Sequence, residues 1–125
     1  MELNKMQSNL KMENFYFSSC SVERECKVEN GECHADLQRN ISNAGEHEYD
    51  VELKLLVDKS DLSVTIVAHA HFIYEAENYE NEGNIINNNT VAIMFPFIRS
   101  QVTLLTTQPG MTPIILPPIN TAKFK

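Results

Sequence analysis

Two histidines and a glutamate have the one spacing in this sequence that suggests metal chemistry. His69 and His71 alternate within a run that has the pattern of a β-strand, and Glu75 follows four residues later. Alternate strand residues share a face and lie about 7 Å apart, so both imidazole rings could reach one metal ion. His69, His71 and Glu75 are therefore weak candidate ligands. The alternative is that both histidines lie on the solvent side of a half-exposed strand.

This spacing, followed by Gly83, resembles the first metal motif of cupins. That motif needs a glycine where this chain has Ser63, and it needs a later histidine ligand in a second motif. No histidine follows His71. A cupin also needs more strands than the rest of the chain can supply, so a metal-binding cupin is the weaker alternative.

Other common catalytic motifs are absent from the sequence. The chain has four glycines and contains neither a glycine-rich phosphate loop nor a Gly-x-Ser-x-Gly elbow. Cys33 and His34 are neighbours, so on a strand their side chains point to opposite faces. We therefore expect a binding protein, not an enzyme, and no cofactor.

The histidines belong to the last of four segments with the alternating pattern of strands. The predicted strands cover residues 14–25, 33–41, 49–57 and 64–74, with turns at 42–45 and 59–61. The clearest strand has an inward face of Tyr49, Val51, Leu53, Leu55 and Val57. The first strand is predicted to place Phe15 and Phe17 on one face, and Tyr16, Cys20 and Val22 on the other.

Residues 84–120 contain one charged side chain, Arg99, and include a helix predicted at 90–108. Its apolar residues form two stripes. One stripe is Val91, Met94, Ile98, Val102 and Leu105, and the other is Ile93, Phe97 and Leu104. Two stripes predict two packing partners, a sheet and a second subunit. Pro96 should start or kink the regular helix, and Arg99 should pair with a carboxylate or cap carbonyls of a neighbouring element.

Residues 109–120 carry four prolines, which exclude a helix and favour an extended arm. The arm also carries five apolar side chains, so we expect it to lie along an apolar surface or to form one wall of a groove. Residues 77–89 are polar and are predicted to form a loop or the frayed lead into the helix. The whole chain, 1–125, is predicted to be a single α+β domain, with an antiparallel sheet in residues 1–76 packed against one long helix.

Composition excludes several classes of protein. A net charge of −7, with no clustered Lys and Arg, argues against nucleic acid binding. No basic start followed by an apolar run is present, so we expect a cytoplasmic protein without membrane insertion. Cys20, Cys26 and Cys33 match no common zinc spacing and are expected to be reduced thiols.

Two motifs carry a family resemblance. The run Met94-Phe-Pro-Phe-Ile-Arg99, followed by Ile115-Leu-Pro-Pro-Ile-Asn120, resembles the helix and arm signature of SecB, the export chaperone. The resemblance implies a four-stranded antiparallel sheet backed by a helix, assembled as a dimer of dimers. SecB proteins continue into a second long helix and a tail, so a chain that stops five residues after Asn120 is expected to lack a full C-terminal helix.

The resemblance implies an ATP-independent chaperone that holds unfolded polypeptides, such as preproteins, in an apolar groove. Met and aromatic side chains suit such a groove because they adapt their shape and supply area. The candidate client-binding residues are Phe72, Tyr74, Met94, Phe95, Phe97, Met111, Ile114, Ile115 and Leu116. For each of them, packing in the core is the alternative.

Two partners besides the client are expected from the resemblance. The outward acidic residues Asp50, Glu52, Asp58 and Asp61 resemble the patch that SecB presents to the SecA motor, although a solvated strand face would look the same. Some SecB-like proteins are dedicated to the antitoxin of a toxin–antitoxin pair. The sequence leaves export chaperone and antitoxin chaperone open as alternatives.

Overall fold

The chain folds as a four-stranded antiparallel sheet with one long helix on one face. A computed structural model describes residues 9–24, 33–59 and 61–117. In chain order the elements are β1 (Leu10–Glu23), β2 (Cys33–Gly45), β3 (Glu48–Lys59), β4 (Leu62–Tyr74) and α1 (Glu82–Leu105). The strands lie in the order β1-β4-β3-β2, and every neighbouring pair is antiparallel. The predicted α+β architecture is confirmed.

β3 and β4 form the centre of the sheet, and their side chains alternate regularly between buried and partly exposed positions. Val51, Leu53, Leu55 and Val57 are buried, as the sequence predicted, and Tyr49 is partly buried. Seven residues of β4 are buried on the same face. They are Leu62, Val64, Ile66, Ala68, Ala70, Phe72 and Tyr74. The first predicted stripe of α1 packs onto this inward face.

β1 differs from its predicted pattern because two bulges interrupt its pairing with β4. The register shifts between Glu13 and Tyr16 and again between Phe17 and Ser19. Each extra residue moves the following side chains to the other face. As a result Cys20 lies opposite Ile66 on the inward face, the same face as Phe17, and the prediction for Cys20 and Val22 was wrong.

The turn between β2 and β3 lies later than predicted. β2 continues through residues 42–45, and Gly45 pairs with Glu48, which leaves a two-residue turn of Glu46 and His47. His47 adopts a positive φ of 59°. Such a backbone is uncommon for a residue other than glycine, and here the His47 ring is held by its contacts with α1.

Helix α1 begins at Glu82 and ends at Leu105, instead of covering the predicted 90–108. Residues 82–89 are therefore helical and not loop. Asparagines are weak helix formers, so the sequence did not predict a helix here. Burial of Ile86 and the hydrogen bonds to Glu82 stabilise these first helical residues. Pro96 lies inside the helix, so it does not start the helix as the sequence allowed.

Several predicted features lie outside the described residues. These are Glu25 at the predicted end of the first strand, Cys26, and Pro118, Ile119 and Asn120 at the end of the arm. Within the described arm, residues 111–117 form no helix or strand, in agreement with the prediction from the prolines.

Candidate functional site

The arm is fixed by two side chains of α1, Arg99 and Thr103, and by Thr106, the C-cap residue that follows the helix. The backbone N–H of Ile114 donates to Thr106 Oγ1 at 2.8 Å, and Thr103 Oγ1 donates to the Ile114 carbonyl at 2.8 Å. Arg99 Nε donates to the Leu116 carbonyl at 3.0 Å. The arm therefore runs antiparallel to the helix. Arg99 caps a carbonyl of a neighbouring element, one of its two predicted roles.

An apolar cleft lies between the solvent face of α1 and this arm. It has a volume of about 530 Å³. Its lining residues are Pro96, Arg99, Ser100, Thr103, Leu104, Thr107, Ile115 and Leu116. Leu104 is 67% exposed and Ile115 is 78% exposed, so the cleft presents two large apolar side chains to solvent. Exposed apolar patches of this kind are typical of interaction sites.

Most of the predicted client-binding residues lie in the core of the single chain. Phe72, Tyr74, Met94, Phe95, Ile114 and Leu116 are buried, and Met111 is partly buried against them. Phe97 is 49% exposed, and Ile115 is the most exposed large apolar residue of the described chain. Sequence reasoning placed Leu104 on the second stripe of the helix but did not include it among the client-binding residues.

Phe97 joins the helix face to the edge strand β1. Its ring centroid lies 5.1 Å from that of Phe15, which contacts Phe17 edge to face at 5.2 Å. Such pairs add to the free energy gained from apolar burial. The apolar surface therefore continues from the cleft, across the helix, to the outer edge of the sheet.

A polar cluster fixes the start of α1 to the β2–β3 hairpin. The Glu82 carboxylate accepts a hydrogen bond from the Tyr49 hydroxyl and contacts His47 Nδ1 at 2.8 Å. The Tyr79 ring stacks on His47 with centroids 3.7 Å apart. Burial and the bond to Glu82 raise the pKa of Tyr49 to about 12, and the same bond, with that of His47, lowers the pKa of Glu82.

The two candidate metal ligands on β4 face away from the helix, on the outer face of the sheet. His71 lies between two carboxylates, with Nε2 2.9 Å from Glu48 and Nδ1 2.8 Å from Asp50. These bonds, that of Asp50 above all, raise the pKa of His71. His69 Nε2 lies 2.7 Å from Ser18 Oγ, and the ring of Tyr16 stacks on it.

The outer face does not assemble the predicted metal set. Glu75 lies beyond the end of β4, and its backbone N–H donates to the Asn9 carbonyl. Both ring nitrogens of His71 contact carboxylates already. Within residues 9–24, 33–59 and 61–117 no group of three or more His, Cys, Asp and Glu side chains could hold a metal ion.

The four acidic residues predicted to meet a partner are separated into two places. Asp50, Glu52 and Asp58 alternate along β3 on the outer face. Asp61 lies in the β3–β4 turn and forms an ion pair with Arg24 at 2.7 Å, which lowers the pKa of Asp61.

Comparison with known proteins identifies the family. The model of the family described as "Preprotein translocase subunit SecB" matches residues 4–124, nearly the whole chain. This chain belongs to the SecB family. An uncharacterized protein of Methanocaldococcus jannaschii, MJ0357, is 31% identical over 64 residues. That match covers 51% of this chain and 41% of the archaeal protein, so the chain spans less than half the length of the relative it matches.

Solved structures share the SecB-like fold. The Mycobacterium tuberculosis SecB-like chaperone Rv1957, solved with a ChAD peptide from the HigA1 antitoxin, superposes with a TM-score of 0.68 at 11% identity. The superposition covers 89% of this chain and 88% of that one. A protein of unknown function from Streptococcus agalactiae superposes with a TM-score of 0.56 at 10% identity, covering 86% and 96%. At such low identity the likeness shows the fold alone.

Among the described residues of this SecB-family chain, no helix is long and apolar enough to cross a membrane.

Proposed function

We propose that this SecB-family chain is an ATP-independent chaperone that holds unfolded polypeptides, including preproteins, in the cytoplasm. The observation that carries the proposal is the apolar cleft along α1 and the arm. Leu104 and Ile115 point into solvent there, and Phe97 extends the surface toward β1. A surface of this kind binds apolar side chains of many sequences because it requires area and not a specific set of hydrogen bonds.

The arm is suited to this role by its rigidity. Pro113 and Pro117 flank the exposed Ile115, and hydrogen bonds to Thr103 and Arg99 hold the backbone between them. A client that binds a preformed wall does not lose the free energy of ordering it. Apolar contacts contribute about 25 cal/mol per Å², so useful affinity requires a long client segment, and short peptides should bind weakly.

The test is suppression of aggregation by the Ile115→Ser variant. Ile115 is exposed, so the substitution should leave the fold intact while it removes a major apolar contact of the cleft. The matched control is Tyr16→Ser, which removes an exposed apolar ring from the opposite face of the sheet. We expect Ile115→Ser to lose holding activity toward a denatured client without ATP, and Tyr16→Ser to retain it. Equal activity of the two variants would reject the cleft as the client site.

A second candidate is a chaperone dedicated to one antitoxin. The superposition with Rv1957, which was solved with an antitoxin peptide, supports this candidate through the fold alone. The two candidates differ in selectivity. A dedicated chaperone should bind a segment of its antitoxin far more tightly than it binds unrelated denatured proteins. A general chaperone should bind the two with similar affinity when their apolar content is similar.

We propose the outer face as the contact for SecA, through Asp50, Glu52 and Asp58. Exposed carboxylates on one face attract a basic partner. Asp61 is a weaker candidate because Arg24 already neutralises it. If the proposal is correct, Asp50→Lys with Glu52→Lys should abolish co-purification of SecA and leave client holding unchanged.

A further inference from the structure

Arg99 is the only charged side chain among the described residues that line the apolar cleft. Its Nε donates to the Leu116 carbonyl at 3.0 Å, and within residues 9–24, 33–59 and 61–117 the side chain makes no other hydrogen bond or ion pair. No described side-chain nitrogen is buried without a partner, so Nη1 and Nη2 of Arg99 are accessible. A ligand in the cleft can therefore supply the acceptors for their N–H groups.

The guanidinium of Arg99 is held in one orientation by the arm. A guanidinium is planar, and its N–H groups have fixed directions in that plane. The bond from Nε to the arm fixes the plane and leaves free the edge that joins Nη1 and Nη2. Two parallel N–H groups on one edge match the two oxygens of a carboxylate, which gives a strong bidentate pair. Because the side chain is already ordered, a carboxylate that binds it loses little affinity to ordering it.

The sheet keeps its carboxylates away from the side on which the helix lies. Within β1–β4, every Asp and Glu pairs with or belongs to the outward face. They are Glu13, Glu23, Asp36, Glu48, Asp50, Glu52 and Asp58. Glu82 is the one acidic residue of α1, and it lies about 26 Å from Arg99 along the axis, about three Debye lengths at physiological salt. The net charge of the chain is −7, yet the cleft itself is positive.

The dimensions of the cleft limit how far a client carboxylate can lie from a client apolar side chain. Arg99 and Leu104 are separated by about 7.5 Å along the helix axis. Ile115 lies opposite, between the levels of Arg99 and Thr103, because its two neighbours accept hydrogen bonds from them. An extended client advances about 3.3 Å per residue, so an acidic residue two or three positions from a large apolar residue reaches both parts of the cleft.

We propose that the cleft selects client segments in which an Asp or Glu lies two or three residues from a large apolar residue, and that Nη1 and Nη2 of Arg99 bind the carboxylate. The selectivity rests on the proposed function and defines the chemistry of the client. A segment of unfolded chain that passes along the cleft carries its carboxylates on side chains, so an acidic side chain is the ligand and not a chain terminus. Apolar contacts supply most of the affinity, and the carboxylate supplies the specificity.

The test compares two unfolded polypeptides of about 30 residues, long enough for apolar contacts to give useful affinity. One carries a Glu two residues from a Leu, and the other carries a Gln at that position and is otherwise identical. Fluorescence anisotropy with the full chain measures the two Kd values. We expect the Glu polypeptide to bind about tenfold more tightly, as a hydrogen-bonded charge pair provides. Raising the NaCl concentration should weaken binding of the Glu polypeptide more than that of the Gln polypeptide.

Four variants separate the carboxylate site from the structural role of Arg99. Arg99→Gln should remove the preference for Glu, whereas Arg24→Gln, which removes the same charge outside the cleft, should keep it. Thr103→Val removes the bond to the Ile114 carbonyl and loosens the arm, so it should weaken binding of both polypeptides and leave the ratio of their Kd values unchanged. Ser100→Glu keeps Arg99 and adds a carboxylate beside it, so it should also abolish the preference.

The outcomes distinguish the carboxylate site from the chaperone activity. Equal affinity of the parent for the two polypeptides, or tighter binding of the Gln form, would overturn the carboxylate site and leave the proposed function standing. A preference for Glu that survives in both Arg99→Gln and Ser100→Glu would overturn it as well. Failure of the parent to bind either polypeptide would also overturn it, and the aggregation assay would then decide the proposed function separately.

Discussion

Glu82 connects the first turn of α1 to the sheet. Its carboxylate meets the Tyr49 hydroxyl and the His47 ring, although Glu82 itself lies in the segment 77–89 that was predicted to be a loop. The lowered pKa of Glu82 keeps it ionised at neutral pH. An acidic group in the first turn also interacts favourably with the helix dipole.

We predict that Tyr49→Phe lowers the free energy of unfolding by about 1.5–3 kcal/mol, the usual contribution of a hydrogen bond to a charged group. Tyr16→Phe is the control, because it makes the same change on an exposed ring of the outer face. The folded-state pKa of Glu82 is lowered, so this stability exists above its unfolded pKa and is lost as pH falls through the folded pKa. Equal urea midpoints for the two variants at neutral pH would refute the prediction.

His71 should make the stability of the sheet depend on pH in the opposite sense. Its pKa is raised by Asp50 and Glu48, so its contribution is fully present below the unfolded pKa and disappears as pH rises through the folded value. We expect the stability difference between the parent and His71→Gln to be at most about 1 kcal/mol, since the pair is near the surface. Urea unfolding at several pH values measures it, and a difference that grows with rising pH would contradict the assignment.

At the scale of the elements, the turn between α1 and the arm sets the arm's direction. Gly110 has a φ of +82°, in the left-handed region that glycine adopts without strain, and an added Cβ would lie 3.2 Å from Arg24 Nη1. Gly83, in the first turn of α1, has no atoms within 4 Å of such a Cβ. A side chain at position 110 would therefore be strained, whereas a side chain at position 83 has room.

We predict that Gly110→Ala destabilises the fold by about 1–2 kcal/mol, whereas Gly83→Ala is neutral or stabilises it by up to about 1 kcal/mol. Because Gly110 precedes the cleft, its substitution should also weaken client holding. Thermal unfolding and the aggregation assay measure the two effects. Similar melting temperatures for both variants would show that the turn does not constrain the arm.

At the scale of the whole molecule, the second stripe of α1 is only partly covered within the described chain, because Ile93 packs against the core and Phe97 contacts Phe15. Phe97, although it contacts Phe15 of β1, is 49% exposed, and Leu104 is 67% exposed. Such a helix face is typical of subunit contacts, because burying it against a second copy removes apolar area from water. The edge strands β1 and β2 also have free sides in the described sheet.

We predict a homo-oligomer, a tetramer assembled as a dimer of dimers, at micromolar concentration. Light scattering should give a multiple of 14.2 kDa. Phe97→Ser, on the second stripe and outside the lining of the cleft, should reduce the mass, whereas Ile115→Ser, on the arm, should not. A parent protein that scatters as a monomer would refute the assembly, and loss of mass in both variants would mean that the cleft is itself a subunit contact.

The sequence by itself determined the architecture. Strict alternation in residues 49–57 and 64–74 predicts strands with one buried face, since a period of two leaves no other arrangement. The single charge in residues 84–120 and the two stripes of α1 predicted a helix with two packing partners. The prolines predicted an extended arm, because they remove backbone donors and restrict φ.

Only the tertiary structure decided where the elements begin and which side chains are exposed. The helix start at Glu82 depends on contacts with Tyr49 and His47, which are distant in sequence. Helix propensity depends only on neighbouring residues, so it could not predict this start. The bulges of β1 depend on pairing with β4, so the face of Cys20 could not be read from the strand alone. Ile114 and Ile115 are adjacent and equally apolar, yet Ile114 is buried and Ile115 is exposed. Thr103 and Arg99 donate hydrogen bonds to the arm, and Thr106 accepts one from it, so these three residues fix the rotation of the arm. The rotation of an extended backbone about its own axis is set by its partners and not by its composition.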